Sequence, residues 1–295
     1  MTGTQTEALH EMAMGLDERP LDDVAAILAQ GQIAAAASVA LVASDIARGA
    51  TAMADTIRAG GILHYVAAGS SGLMAAADAQ ELGGTFSIPP GQLRVHMAGG
   101  LPTGVEMPGD TEDDIDGLQE ALEGVSQRDT LIAVSASGTT PYTLAAARMA
   151  KAAGATVVAI ANNAGAALLG IADYPICLAT PPEVLSGSTR MGAGTAQKIA
   201  LNMLSTLMAV SLGHVHDGMM VNLRADNIKL RRRAQAIVAH LAQVTPEQAA
   251  AALDAAQGEV KAAILVAAKE ISPDRATAIL RETEGHLRAA LARQN

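Results

Sequence analysis

Five short apolar runs, each separated from the next by a longer helical stretch, restrict the fold of this 295-residue chain more than any other feature. They begin near residues 62, 93, 129, 155 and 173. Their apolar character is continuous rather than alternating, which is typical of strands covered on both faces. The sequence therefore predicts an α/β fold: a three-layer sandwich of about five parallel strands flanked by helices.

The remaining stretches have helical spacing and suggest two domains. The longer expected helices lie within 21–59 (two helices that divide near Gly31), 189–212 and 219–241. Three or four short helices follow, and Thr245 before Pro246 is a typical N-cap with proline at the first helical position. We predict one domain over residues 1–244 and a small all-α module over residues 245–295.

Composition limits the partners and the compartment. The formal net charge is −10, so nucleic acid is not expected as a partner, although backbone amides can still bind small phosphorylated ligands. The single cysteine, Cys177, lies in an apolar run and cannot form an internal disulfide, which fits a reducing cytoplasm. No signal peptide is visible and no apolar run reaches the ~20 residues that cross a bilayer, so a soluble cytoplasmic protein without a membrane partner is expected.

Two of the predicted strands end in turns rich in serine, threonine and glycine, at residues 69–72 and 135–140, and the helix after the first is expected from about Leu73. Ligands of open parallel sheets bind beyond the carboxyl ends of the strands, and helix N-termini attract anions. The turns therefore predict a phosphate site, with plain helix capping as the alternative. The candidate residues are Gly69, Ser70, Ser71, Ser135, Ser137, Gly138, Thr139 and Thr140.

Two carboxylates and a histidine pair are the other candidates for chemistry. Glu81 lies near the end of a predicted helix, and Glu112 lies in an acidic stretch that is expected to start one. Spacing alone gives neither a catalytic role. His214 and His216 lack a third nearby His or Cys, so no metal and no cofactor is predicted, and His64 fits a packed core residue.

Residues 181–198, PPEVLSGSTRMGAGTAQK, resemble the signature of the N-acetylmuramic acid 6-phosphate etherase family, which are sugar isomerase (SIS) domain proteins related to the glucokinase regulatory protein. The similarity continues through SASGTTPY, NMLST and NIKLR, at 135–142, 202–206 and 227–231. It covers most of the chain from about residue 21. It implies a SIS-type sandwich, a ubiquitin-associated-like (UBA-like) C-terminal module and a homodimer whose sites are completed by the second subunit. The Met-rich helix over 199–212 is a candidate for that interface.

The resemblance also implies an enzyme, a carbon–oxygen lyase of amino sugar metabolism and peptidoglycan recycling. Such enzymes cleave the D-lactyl ether of N-acetylmuramic acid 6-phosphate by elimination and hydration, without a metal, giving N-acetylglucosamine 6-phosphate and D-lactate. In the family pattern Glu81, in the stretch DAQE, takes the proton-donor position and Glu112 the second catalytic position. Further implied substrate-binding residues are Glu183, Ser186, Ser188 and Thr189.

The chain departs from the family pattern at Leu73, Thr139 and Gly192, where family members carry a basic residue. Fewer cations weaken binding of a phosphate or carboxylate, so a related sugar phosphate is an alternative substrate. Two alternative functions stay open. One is a regulatory protein that binds a sugar phosphate without turnover, and the other is an aldose–ketose isomerase of phosphosugars.

Overall fold

The structure is a computed structural model that describes residues 5–109 and 111–293. The chain divides into two compact units. The first contains the residues up to Gln80 together with Gly91–Ser205, and the second contains Glu81–Pro90 together with the residues from Thr206 onward.

A five-stranded parallel sheet forms the centre of the first unit, in the order β2-β1-β3-β4-β5. The strands are β1 (Leu63–Ala67), β2 (Leu93–Met97), β3 (Thr130–Ser135), β4 (Thr156–Ala161) and β5 (Tyr174–Cys177). Every residue of β1 and β3 is buried, as their continuous apolar sequence predicts. The predicted α/β fold with five parallel strands is confirmed.

Helices cover both faces of the sheet. They are α1 (Leu21–Ala40), α2 (Ala43–Arg58), α3 (Gly69–Phe86), α4 (Leu118–Ala121), α5 (Pro141–Ala152), α6 (Ala167–Ile171) and α7 (Gly192–Ser211). On one face Val66 and Leu131 share a buried cluster with residues of α4, α5 and α6. On the other face Gly49 of α2 approaches the sheet so closely that a Cβ there would lie 3.2 Å from Val158 Cγ1.

The second unit is mostly helical. Its remaining elements are a short antiparallel hairpin of β6 (Val215–His216) and β7 (Met219–Met220), then α8 (Ile228–Ala242), α9 (Pro246–Ala255), α10 (Val260–Lys269), α11 (Pro273–Glu282) and α12 (Leu287–Ala292). Thr245 caps α9 as predicted, since its side chain accepts a hydrogen bond from the Gln248 amide, and Ser272 caps α11 in the same way through the Arg275 amide. Residues of α8 and of the four later helices share one buried core. The start of a separate module at residue 245 stays a prediction.

Four predicted helix boundaries are wrong, two of them for identifiable reasons. α1 runs through Gly31, because a side chain there would meet Val184 Cγ2 at 2.8 Å and the glycine serves close packing rather than a break. α3 already begins at Gly69, and α7 begins only at Gly192. The predicted helix at 219–241 begins at Ile228, because Asp217 and Gly218 have positive φ angles, the geometry of a tight hairpin turn.

Among the described residues, one helix reaches the length and hydropathy of a membrane span. It is α1, with 20 residues, a mean hydropathy of 1.3 and 17% of its apolar window buried. The sequence alone did not predict such a segment, because Gln30 and Gln32 interrupt the apolar residues of this helix. One such helix is weak evidence for a membrane span, because a mostly buried core helix and a signal sequence near the N-terminus pass the same test.

Candidate active site

The strand order places the two hydroxyl-rich turns side by side. β1 lies between β2 and β3, so the chain leaves β1 in one direction and returns to the other side of it to form β3. Such a reversal opens a crevice at the carboxyl ends of the two strands, where ligands of open α/β sheets bind. The turn at 69–72 follows β1, and the turn at 135–140 follows β3. The candidate site therefore lies at this switch point.

Glu112 lies between the two turns. Gly69 has a φ of +55°, and a Cβ on it would overlap Oε1 of Glu112. The carbonyl of the same glutamate accepts a hydrogen bond of 3.1 Å from the amide of Tyr142, in the first turn of α5. The Glu112 side chain thus packs against the turn after β1. Its backbone carbonyl is hydrogen-bonded to α5, the helix that follows the turn after β3.

The prediction that Glu112 starts a helix is wrong. It lies exposed in the long loop between β2 and α4, and α4 begins only at Leu118, after Gly117 with a φ of +74°. An exposed carboxylate held by its backbone at a ligand crevice can exchange protons with a bound molecule.

The turn after β3 has a closed network of hydroxyl groups. Ser135 Oγ lies 2.8 Å from Thr140 Oγ1 and 3.3 Å from Ser137 Oγ, and it accepts a bond of 3.0 Å from the Gly138 amide. Ser137 Oγ accepts from the amide and the hydroxyl of Thr139, at 3.1 and 3.0 Å. The described hydroxyls therefore serve the turn itself, as in the capping alternative, and an anion would have to exchange with these bonds.

Only glycine fits at position 138. Gly138 has a φ of +68°, and a Cβ there would overlap the Cβ of Ala166. Its carbonyl also accepts a bond of 3.1 Å from Leu168 of α6. Close packing against Ala166 and the hydrogen bond from Leu168 therefore hold the turn in one conformation.

Glu183 caps α7. Its two carboxylate oxygens accept hydrogen bonds from the amides of Gly192 and Ala193, at 2.9 and 2.8 Å, and the residue is 6% exposed. A carboxylate at a helix N-terminus is favoured by the free amides and by the helix dipole. The anion position at this helix end is thus filled by the chain, and contact of Glu183 with a substrate stays a prediction.

The other residues predicted in this loop differ in exposure. Ser186 is exposed, and its Oγ donates to the carbonyl of Glu7 at 3.3 Å. Ser188 and Thr189 are half-buried, and the Thr189 amide donates to Gly187 O at 2.9 Å. Lys198 is exposed on α7.

Glu81 lies on α3, exposed, and belongs to the second unit. It follows Gly69 by twelve residues on the same helix. One turn before it, Asp78 is 4% exposed and accepts hydrogen bonds from Asn202, Ser205 and Tyr65. This network fixes α3 against β1 and α7, and burial together with the Asp78 charge raises the pKa of Tyr65 well above its usual value.

His64 and His96 lie on β1 and β2, and His214 belongs to the second unit. His64 is 5% exposed, as expected for a core residue, and its Nδ1 lies 3.0 Å from Nε2 of His96 on the neighbouring strand. Burial lowers both pKa values, that of His96 to about 4. Burial and then the charge of Lys261 lower the pKa of His214 to about 4. Within residues 5–109 and 111–293, no group of three or more His, Cys, Asp or Glu is arranged to hold a metal ion.

Thr6 and Asn163 were not predicted as site residues; they are 3% and 4% exposed and hydrogen-bonded to each other. Asn163 also donates to the carbonyls of Ala136 and Ser137 in the second turn. Its position directly after a predicted strand was a usable signal, because polar residues there lie at the ligand-binding edge.

The fold and the switch-point crevice define a SIS-domain protein. The SIS domain family model matches residues 31–162. A solved structure of a ligand-bound protein from E. coli CFT073 covers 68% of this chain and 97% of its own, with a TM-score of 0.51 at 14% identity. A second, described as a phosphosugar isomerase involved in capsule formation from Bacteroides fragilis, has a TM-score of 0.50 at 17% identity and covers 68% and 95%. At such identities the likeness concerns the fold.

Closer relatives define the family. A protein of Deinococcus radiodurans named N-acetylmuramic acid 6-phosphate etherase is 42% identical over 264 residues, 89% of this chain and 87% of the relative. One of Rubrobacter xylanophilus with the same name is 41% identical over 252 residues, 85% and 84% of the two chains. The chain belongs to the N-acetylmuramic acid 6-phosphate etherase family, which confirms the resemblance found at residues 181–198.

Proposed function

We propose that this protein is a carbon–oxygen lyase that cleaves the D-lactyl ether of N-acetylmuramic acid 6-phosphate, releasing D-lactate and N-acetylglucosamine 6-phosphate. The position of Glu112 carries the proposal. Its carboxylate lies against Gly69 after β1, and its carbonyl holds the first turn of α5 after β3. An acid–base group therefore stands at the switch point between two hydroxyl-rich turns, and membership in the etherase family supports the same reaction.

The reaction needs proton transfers at two positions. In the open-chain sugar the C1 aldehyde acidifies the C2 proton, and its removal forms the C2–C3 double bond as the lactyl oxygen leaves C3 with a proton. Water then adds its oxygen to C3, and C2 regains a proton. We assign Glu112 as an acid–base group of this sequence and Glu81 as the donor to the lactyl oxygen.

The 6-phosphate is assigned to the turn at 135–140. A phosphate brings acceptor oxygens that can replace the bonds among Ser135, Ser137 and Thr140, so their hydroxyls turn toward the ligand. These donors carry no formal charge, and Leu73 and Thr139 stand where family members carry a basic residue. We therefore expect weaker phosphate binding than in family members that keep those cations.

We further propose a cytoplasmic homodimer that acts in peptidoglycan recycling, with each site completed by the second subunit. The predicted interface on α7 loses support, because Leu204 and Met208 are already buried within one chain. The exposed apolar residues of α1, and Leu41 directly after it, are better candidates for the dimer interface. Leu21, Ile33 and Leu41 are 84%, 61% and 86% exposed.

The test is turnover of N-acetylmuramic acid 6-phosphate in ¹⁸O-water, with lactate measured enzymatically and the sugar product by mass spectrometry. We expect lactate release and one ¹⁸O at C3 of the sugar, because hydration adds solvent oxygen there. Binding without lactate release would favour the regulatory alternative, and a ketose product would favour the isomerase.

Replacing Glu112 by Gln tests the assignment of its carboxylate. Glu112→Gln should keep the fold and lower kcat by roughly 10²- to 10⁴-fold, the usual contribution of a positioned acid–base group. Glu120→Gln, an exposed carboxylate on α4, is the matched control and should retain wild-type rates. Wild-type turnover by Glu112→Gln would rule out the role.

A further inference from the structure

The first described residues of the chain contact the loop after β4 and the loop before α7. Gln5–Glu7 form a turn of 3₁₀ helix, here called the N-terminal strap. Its central residue, Thr6, is 3% exposed, whereas Gln5 and Glu7 on either side are exposed. A polar residue buried between exposed neighbours indicates a specific anchoring point.

Asn163 binds Thr6 through two hydrogen bonds. Its Oδ1 accepts from the Thr6 amide at 3.3 Å, and its Nδ2 donates to Thr6 Oγ1 at 3.1 Å. The same Nδ2 reaches the carbonyls of Ala136 and Ser137, at 3.2 and 3.3 Å. One buried amide group therefore joins the strap to the backbone of the predicted phosphate turn.

A second contact joins the strap to the loop before α7. Ser186 Oγ donates to the Glu7 carbonyl at 3.3 Å, and a Cβ on Gly187 would lie 3.5 Å from Oε2 of Glu7. The strap thus bridges two of the loops at the carboxyl edge of the sheet and brings the Glu7 carboxylate to the rim of the candidate site.

The segment that follows the strap is not supported by a packed core. His10, Glu11 and Met12 line a cavity of about 510 Å³ together with residues of α1 and with Pro181. Segments with few buried contacts open at low free energy. The few hydrogen bonds at Thr6 and Glu7 therefore control whether the strap is docked.

We propose that docking of the N-terminal strap orders the turn at 135–140 for the sugar phosphate, with Thr6 and Asn163 as positioning residues. The inference rests on the proposed function, in which this turn binds the phosphate. When the strap lifts, Asn163 loses both of its hydrogen bonds to Thr6, so the amide group that donates to the Ser137 carbonyl is held less firmly. The turn then samples more conformations, and a ligand must pay the entropy of ordering it.

Hydrogen exchange of the free protein tests the coupling without any substrate. Thr6→Val keeps the volume of the side chain and removes its hydroxyl, whereas Thr6→Ser keeps the hydroxyl. We expect faster amide exchange in Thr6→Val at residues 5–9 and at 136–139, and wild-type exchange in Thr6→Ser. Thr51→Val, an exposed threonine of α2 bonded to its own helix, is the matched control and should change neither segment. Faster exchange of the strap alone, or no change in either segment, would overturn the proposal.

Kinetics adds an independent readout. In Thr6→Val the KM for N-acetylmuramic acid 6-phosphate should rise roughly fivefold to tenfold, as expected for one lost buried hydrogen bond, with kcat changed less than twofold. Thr6→Ser should restore the wild-type KM. A lowered kcat with unchanged KM would contradict a role in ordering the binding turn. If the wild-type protein turns over no such sugar, the proposed function fails, while the exchange experiment still decides whether strap and turn are coupled.

Discussion

Replacing Glu183 by Ala should lower the free energy of unfolding by about 3–5 kcal/mol. Two backbone amides donate to this carboxylate, at 2.9 and 2.8 Å, and the residue is only 6% exposed, so solvent screens the bonds little. Hydrogen bonds to a charged group contribute about 1.5–3 kcal/mol each, and loss of the favourable charge at the helix N-terminus adds roughly 0.5 kcal/mol. Water entering the space left by the side chain offsets part of the sum.

Glu183→Gln should cost less, about 1.5–2.5 kcal/mol. The amide oxygen still accepts one hydrogen bond, while the new NH₂ group faces a second donor. The free energy of unfolding should therefore be lowest for Glu183→Ala, intermediate for Glu183→Gln and highest for the wild type. This order follows from the number of acceptor oxygens that face the amides of Gly192 and Ala193.

Urea unfolding followed by circular dichroism measures the loss, together with amide exchange at Gly192 and Ala193. Glu120→Ala, on an exposed carboxylate, is the control and should stay within about 0.5 kcal/mol of wild type. A Glu183→Ala protein that unfolds at the wild-type urea concentration would refute the cap. A Glu183→Gln protein of native stability with a raised KM would instead place this carboxylate on the substrate.

Two further outcomes follow from the described contacts. Gly138→Ala should destabilise by about 2–4 kcal/mol, because its φ of +68° is strained for alanine and the new Cβ overlaps a neighbour; a wild-type melting curve would contradict this. The paired His64 and His96 have lowered pKa values, that of His96 about 4, so the unfolded chain binds more protons than the fold between about pH 6.5 and pH 4. Stability should therefore fall as the pH falls through that window, and a His64→Phe/His96→Phe variant with the same pH slope in urea titrations would disprove the cause.

The strands and the class of fold could be predicted because their signal is local. Each strand is a short apolar run, and each lies within a few residues of its predicted position because both faces of the sheet are covered by helices. The turns after β1 and β3 could be found for the same reason, since hydroxyl groups and glycine directly follow the apolar residues. Helix ends were less predictable: Gly31 is typical of a break but serves close contact with Val184, which is distant in sequence.

The functional geometry depends on contacts that sequence spacing does not reveal. Glu112 was identified through a family resemblance and not through periodicity, because its position is set by the amide of Tyr142, thirty residues later. The bond between Thr6 and Asn163 spans 157 residues. Glu183 could be named as a candidate, but its role as a cap depends on a loop that returns its carboxylate to α7.

The closed hydroxyl network after β3 has a consequence for how such a turn would distinguish its ligands. Its donors are serine and threonine hydroxyls and backbone amides, which carry no formal charge. Ionic strength screens an exposed arginine or lysine strongly but has little effect on neutral donors at contact distance. A turn of this kind recognises the tetrahedral shape of an anion more than its charge. We therefore expect binding of a phosphate group to this turn to depend less on salt than binding to an arginine or lysine would.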